Sequence, residues 1–351
     1  MVLLRVGERR RKSPLLGMAR EHRWVTDTNA STRAPSIGLV LGAGGVPGFA
    51  YAVGSLAALE AGTGWDPRSA DLIVGTSAGA SLGSLLRAGV SAADQYAQSQ
   101  GGPLSEAGQA LLAGVPTTRW DEGELVGREA RRLAPLMATR SLLRWPPRPG
   151  LSLAGFRRPG DRSSKPLGDR YRYLLPSWPD RHLWVCAVRT ADGRRVVFGR
   201  DDLPDVDVGT AVEASAAVPG SIAPVRIGDA SYVDGATWSV TNADLAASLG
   251  FDTLVVVAPR SATSSALRRR GTSVQRAYHR AILARELAPA RATATRLVVV
   301  EPTTADLAAF GAGPAAEGSR PEIAAQAFAT MRALVERDGD VARALTEAVP
   351  A

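Results

Sequence analysis

Residues 71–89, Asp-Leu-Ile-Val-Gly-Thr-Ser-Ala-Gly-Ala-Ser-Leu-Gly-Ser-Leu-Leu-Arg-Ala-Gly, decide how this chain reads. Leu72, Ile73 and Val74 form a short apolar run that reads as a buried strand, with a break expected at Gly75. After Ser77 the apolar residues fall at helical spacing, Leu82, Leu85 and Leu86. Strand, glycine turn, serine, helix is the nucleophile-elbow order G-x-S-x-G, here Gly75-Thr76-Ser77-Ala78-Gly79. Such a turn lifts the serine hydroxyl out of the sheet. It leaves that hydroxyl at a helix N-terminus, where developing negative charge is favoured. A second, overlapping copy, Gly79-Ala80-Ser81-Leu82-Gly83, lies one turn inside the helix, where a serine hydroxyl points at backbone or neighbours. Ser77 is therefore the candidate nucleophile, and Ser81 a small residue that lets helix and sheet approach.

Upstream, Ile37-Gly38-Leu39-Val40-Leu41 reads as another buried strand. It runs into the glycine-rich turn Gly42-Ala43-Gly44-Gly45-Val46-Pro47-Gly48 and then a helix through Tyr51, Leu56 and Leu59. Glycines let backbone N–H groups converge on an anion, either a nucleotide phosphate or the oxyanion of an acyl-transfer intermediate. A dinucleotide site wants an acidic residue closing the next strand. Here the next strand closes in the serine elbow, which favours the oxyanion; a ligand-free glycine turn is the plain alternative. A third element comprises Ala214-Ser215-Ala216-Ala217-Val218-Pro219-Gly220, Pro224-Val225-Arg226-Ile227, and Tyr232-Val233-Asp234-Gly235-Ala236. Taken alone, Asp-Gly is more often a β-turn than a catalytic carboxylate, and Asp192-Gly193 reads as that ordinary hairpin turn.

In this order the three elements resemble the patatin-like phospholipase family over roughly residues 36–305. That family carries a glycine loop on its first strand, a G-x-S-x-G elbow on its second, and an aspartate in D-G-[GA]. The matches are Ala43 to Gly48, Gly75 to Gly79, and Asp234-Gly235-Ala236. The A-S-A-A-V-P-G segment and the S-V-T-N-A run after Asp234 also look like family sequence. The resemblance implies a three-layer α/β/α sandwich with a mainly parallel central sheet. It also implies a Ser77–Asp234 dyad on neighbouring strands, Gly44 and Gly45 as oxyanion amides, and a lipid acyl ester as substrate, with no cofactor and no metal. One departure stands out. The family's loop usually reads G-G-G-x-[RK]-G, whereas this chain has Ala43 at the first glycine and Pro47 at the basic position.

A Ser–Asp dyad suits a chain with 3 histidines. His22 lies in the N-terminal extension and His182 opens an apolar strand, Leu183 to Val188. His279 sits among Arg276, Arg280 and Arg285, which reads as a solvated helical face. An ordinary Asp, with a pKa near 3.9, is a feeble base. Asp234 must therefore be raised by burial if it is to take the Ser77 proton.

The chain has 351 residues, 45% of them hydrophobic, enough for one large α/β core with appendages. Its single cysteine, Cys186, excludes an internal disulfide. The net charge is +8, carried almost wholly by arginine, and nucleic acid is not an expected partner. Residues 1–35 form a basic extension expected to be disordered. Its Glu8 to Lys12 run lacks the apolar stretch of a secretory signal, and Met18 is an alternative start. Residues 34–59 carry no charge, but their glycines and Pro47 favour strand, loop and helix over a membrane span. The expected protein is soluble and cytoplasmic, with peripheral membrane contact as an option.

Domain organisation is expected as an extension (1–35), a patatin-like domain (36–305) and a C-terminal helical segment (306–351), with helices at Glu322 to Leu334 and Asp340 to Ala348. An insertion at about 101–180 holds a helix through Leu125, Ala130 and Leu133. Beyond it comes an arginine- and proline-rich stretch with Trp145, Phe156, Tyr171, Tyr173 and Trp178, residues suited to a phospholipid surface. The leading function is a serine lipid acyl hydrolase. Its alternatives are an acyltransferase on the same site and an idle lipid- or partner-binding module, the latter kept open by Pro47.

Overall fold

The structure is a computed structural model describing residues 35–116, 154–155, 158–201, 203, 206–269, 274–293, 295–311 and 320–347. Expectations for the extension through residue 34, for His22, and for Leu125, Ala130, Leu133, Trp145 and Phe156 lie outside the described residues. Eight strands form one sheet: β1 (Ile37–Leu41), β2 (Leu72–Thr76), β3 (His182–Arg189), β4 (Arg194–Phe198), β5 (Val225–Ile227), β6 (Ala230–Asp234), β7 (Thr253–Val257) and β8 (Arg296–Val300). Strands β3, β2, β1, β7 and β8 run parallel in that order, and β4, β5 and β6 add the antiparallel part.

Strands covered on both faces read as unbroken apolar runs, and alternate residues then serve opposite layers. Leu39, Leu41, Ile73, Val185 and Val257 face one layer, with α1 (Gly45–Thr63), α2 (Ala78–Arg87), and the helices Val208–Ser215 and Arg320–Arg337. Val40, Leu72, Val74, Cys186 and Val256 face the other, with the helices Asp244–Ala247, Val274–Glu286 and Ala288–Arg291. This is the three-layer α/β/α sandwich. Helix Arg320–Arg337 lies so close to α1 that a Cβ on Gly54 would come within 2.1 Å of the Ala324 carbonyl oxygen. The second expected terminal helix spans Gly339–Thr346. Gly193, at φ 66°, turns the β3–β4 hairpin as expected of Asp192-Gly193.

Two expectations need correction. β2 does not break at Gly75 but runs on through Thr76, because Gly75 still pairs with Leu41 and Val185. Of the insertion's aromatic residues, Tyr171 is buried and Trp178 donates to the Val206 carbonyl at 2.7 Å, so neither is free for a lipid surface; Tyr173 is exposed. The cause is helix Lys165–Leu174, which packs tightly on helix Val208–Ser215, where a Cβ on Gly209 would lie 2.4 Å from the Gly168 carbonyl oxygen.

Candidate active site

The sheet itself brings Ser77 and Asp234 together. β4 pairs with Val185–Arg189 of β3 and so takes one edge of that strand. β2 pairs with His182–Cys186 and β6 with Ala187–Arg189, spans that overlap the β4 pairing, so both lie on the other edge. They run in opposite directions, and their C-terminal tips meet end to end, Thr76 opposite Cys186 and Asp234 opposite Ala187. The two residues are therefore not on neighbouring strands, as expected, but on strands that abut along a shared neighbour. β2 cannot continue past Thr76, because Asp234 already occupies the place opposite Ala187.

The chain escapes by turning out at Ser77, which adopts φ 55°, ψ −119°. Positive φ is strained for a residue with a side chain, and such outliers cluster at functional sites. Among the described non-glycine residues only Ser77 and Asn242 (φ 52°) have it. The flanking glycines answer to close approach. A Cβ on Gly75 would lie 2.5 Å from Ala80 Cα, and one on Gly79 would lie 2.0 Å from the Leu41 carbonyl oxygen. Helix α2 thus folds directly back over β2 and β1, leaving the Ser77 side chain at its N-terminal end. Ser81 is buried beside Tyr171, within the helix–sheet contact.

Asp234 is 3% exposed and Ser77 6%. The Asp234 carboxyl accepts the Ala236 N–H at 2.7 Å, and the Ser77 side chain lies near enough to favour its charged form. Burial pushes its pKa up from 3.8 to about 6, against the opposing pull of the Ala236 N–H, Ser77 and the Arg260 charge. Gly235 is required next to it, since a Cβ there would lie 2.4 Å from the Cys186 carbonyl oxygen.

The glycine loop follows β1, and the pairing of Leu41 with Gly75 sets it alongside Thr76 and Ser77. Gly42 N–H donates to Val257 (2.9 Å) and Ala43 N–H to Val240 (2.7 Å). Gly44 and Gly45 then open the 19-residue helix α1, and among the described residues neither of their N–H groups has a backbone acceptor. Gly45 has φ 58°; a Cβ on Gly44 would lie 2.5 Å from Gly48 Cα. Pro47 sits in the first turn of α1, where a missing N–H costs nothing.

Of the described histidines, His182 stands apart from this junction. His182 pairs with Leu72 at the far end of β2, roughly 16 Å of strand from Ser77. His279 is lowered to about 4 by burial and by the charges of Arg260 and Arg276, so it is neutral at pH 7. Its helix face is not solvated as expected. Arg276 turns inward to the Pro259 and Ser261 carbonyls (2.8 and 2.7 Å), and Arg280 to Ala262 and Glu301 (2.7 and 2.6 Å). Among the described residues no group of 3 or more His, Cys, Asp or Glu is placed to hold a metal ion. No helix among them is long and apolar enough to cross a membrane.

Two contacts at the elbow involve residues given no role by the sequence reading. Buried Asn242 donates to Thr76 Oγ1 at 3.0 Å and to the Ser239 carbonyl at 2.7 Å, while its Oδ1 accepts from Arg195 at 3.1 Å. Ser215 Oγ accepts the Ser77 N–H at 2.8 Å and donates to the Cys186 carbonyl at 2.7 Å. The available signal was position alone: Asn242 stands in the S-V-T-N-A run and Ser215 in A-S-A-A-V-P-G.

An α/β sandwich that presents a strained serine where a parallel strand meets a helix belongs to the hydrolase type of architecture. A family model described as "Patatin-like phospholipase" matches residues 39–247, more than half the chain, and the chain belongs to that family as an enzyme of its class. Among solved structures, VipD from Legionella pneumophila matches at 15% identity and TM-score 0.39, over 87% of this chain and 67% of that one. The type III effector protein ExoU matches at 19% identity and TM-score 0.33, over 86% of this chain and 53% of that one, so the chain spans about half its length. No curated protein matches the chain significantly.

Proposed function

We propose that the chain is a serine lipid acyl hydrolase in which Ser77 is the nucleophile, Asp234 the base, and the Gly44 and Gly45 amides the oxyanion hole. The observation that carries this reading is the end-to-end meeting of β2 and β6, which sets a strained serine against a buried carboxyl whose pKa is raised to about 6. A base poised near the working pH is what proton abstraction from a hydroxyl needs. Ser77 Oγ bonds to the ester carbonyl carbon while its proton passes to Asp234. The carbonyl oxygen takes up the negative charge and accepts from the two glycine amides at the α1 N-terminus. Collapse breaks the ester C–O bond, and Asp234 returns its proton to the departing alcohol, leaving an acyl-serine. Water attacks this ester, losing a proton to Asp234, and collapse releases the fatty acid as the proton passes back to Ser77.

Val218 supports an acyl-chain or lipid-surface partner. It is an exposed apolar residue next to Ala217, whose carbonyl accepts the Asp234 N–H at 3.0 Å. The test is turnover of phospholipid vesicles and of a short-chain p-nitrophenyl ester by the wild-type protein, Ser77→Ala and Ser81→Ala. The reading expects Ser77→Ala to abolish both activities and Ser81→Ala to keep most of each. Equal loss in two folded variants would overturn it.

A further inference from the structure

We infer that Ser215 is a positioning residue for Ser77, its hydroxyl holding the backbone of the nucleophile in the conformation from which it attacks. The inference rests on the Ser77–Asp234 reading and adds a residue from helix Val208–Ser215, on which the mechanism above makes no demand.

A strand that stops in mid-sheet leaves its next backbone groups without rungs, and a buried N–H without an acceptor is costly. At the tip of β2 the place opposite Ala187 is taken by Asp234, so Ser77 loses its regular strand partner. The Ser215 hydroxyl fills that gap. It accepts the N–H of Ser77, one residue past the last β2–β3 pair, at 2.8 Å and donates onward at 2.7 Å to the carbonyl of Cys186, the β3 member of that pair. Ser215 is fully buried, and a hydroxyl is the one small group that both accepts and donates at such a spot. Alanine in its place would leave the Ser77 N–H and the Cys186 carbonyl facing a methyl group.

The same short segment also holds the other member of the pair. The Ala217 carbonyl accepts the Asp234 N–H at 3.0 Å. Residues 215–217 are themselves fixed by the end of their helix, with Ala216 N–H on Val212 (2.9 Å) and Ala217 N–H on Ala214 (3.3 Å). One rigid tripeptide therefore grips the amides of both Ser77 and Asp234 and sets the distance between them. Because φ 55° is strained for serine, the elbow holds only where its surroundings over-determine it; the Ala80 and Ser81 N–H groups hold the Ser77 carbonyl (2.9 and 3.1 Å), and Ser215 holds its N–H.

The test compares wild type, Ser215→Ala, Ser215→Thr and Ser84→Ala. Ser84 is an equally buried serine on α2 whose hydroxyl bonds only the Ala80 carbonyl (2.9 Å), so it controls for loss of a buried hydroxyl away from the elbow. The readouts are kcat and KM on a short-chain p-nitrophenyl ester, the rate of labelling by a fluorophosphonate, and the thermal midpoint. A misplaced nucleophile costs up to ~10²-fold in rate. Ser215→Ala is expected to lower kcat and labelling rate together by ~10- to 10²-fold, with KM within about twofold, while Ser84→Ala keeps wild-type kcat. Ser215→Thr, which retains the hydroxyl, should recover most of the rate. If Ser215→Ala does not fold, Ser215→Cys replaces it, its weaker and longer acceptor giving an intermediate loss of kcat. An undiminished kcat, a loss matched by Ser84→Ala, or a loss confined to KM would overturn the positioning role. A wild-type protein that labels at Ser77 beside an undiminished Ser215→Ala removes that role alone, whereas an inert wild-type Ser77 removes the dyad reading as well.

Discussion

Replacing Asp234 by Asn should stabilise the protein, and by an amount that depends on pH in a defined way. The folded carboxyl titrates near 6 because burial disfavours its charge, against 3.8 for the ordinary group. The unfolded chain therefore gives up this proton first. As pH rises from about 4 to 6, stability is lost, the reverse of the usual behaviour of a salt-bridged aspartate. The cost therefore grows from under about 1 kcal/mol at pH 4 to on the order of 3 kcal/mol above pH 7. Asn keeps an oxygen for the Ala236 N–H and carries no charge, so it escapes the cost at every pH. Urea unfolding of both proteins at pH 4, 5, 6 and 8, followed by tryptophan fluorescence, reads the difference directly. The advantage of Asp234→Asn over wild type should widen by about 2 kcal/mol between pH 4 and 8 while ester turnover is lost. A difference that stays flat with pH would refute the reasoning, since it would mean that the Asp234 charge is as well solvated folded as unfolded.

With Asp234 as the proposed base, kcat/KM should fall tenfold per pH unit below about 6, where Asp234 is protonated and cannot accept the Ser77 proton. His279→Gln should leave that limb in place, because His279 is lowered to about 4; loss of the limb in this variant would restore a histidine base. At the glycine loop, Gly44→Ala should cost ~10²- to 10³-fold in turnover, as its Cβ meets Gly48 Cα at 2.5 Å and displaces a proposed oxyanion amide. Gly45→Ala, with its nearest neighbour at 4.0 Å, faces only the positive-φ penalty and should cost less; the reverse order would place the oxyanion elsewhere. Ser77→Gly should be inactive yet more stable than Ser77→Ala by about 1 kcal/mol, because glycine accepts φ 55° without strain; equal chemical denaturation midpoints would argue that the elbow is relaxed.

The elements around the elbow were legible because each is written locally. Ile37–Leu41 and Leu72–Thr76 are apolar runs closed by glycines, and Leu82, Leu85 and Leu86 repeat at helical spacing. The glycines' reasons were only half legible. Sequence marks Gly75 and Gly79 as a motif, while the approach of Ala80 Cα and the Leu41 carbonyl that demands them is a tertiary fact. The junction itself was out of reach, since it depends on which edge of β3 receives β2 and β6, a pairing between residues more than 40 positions apart. For the same reason Asn242, bonded to Thr76 across 166 positions, and Ser215, bonded to Ser77 across 138, passed as family-like sequence without a role. Arg276 and Arg280 misled in the opposite direction. Charged residues on a helix read as solvated, but here they cap the carbonyls of residues 259–262.

The central claim, that Ser77 is the nucleophile, meets its most direct test in peptide mapping after reaction of the native protein with a fluorophosphonate. The account predicts one adduct, on the peptide carrying Ser77, absent in Ser77→Ala and slowed below about pH 6. An adduct on Ser81 or elsewhere, or a protein that hydrolyses esters without reacting at Ser77, would contradict it.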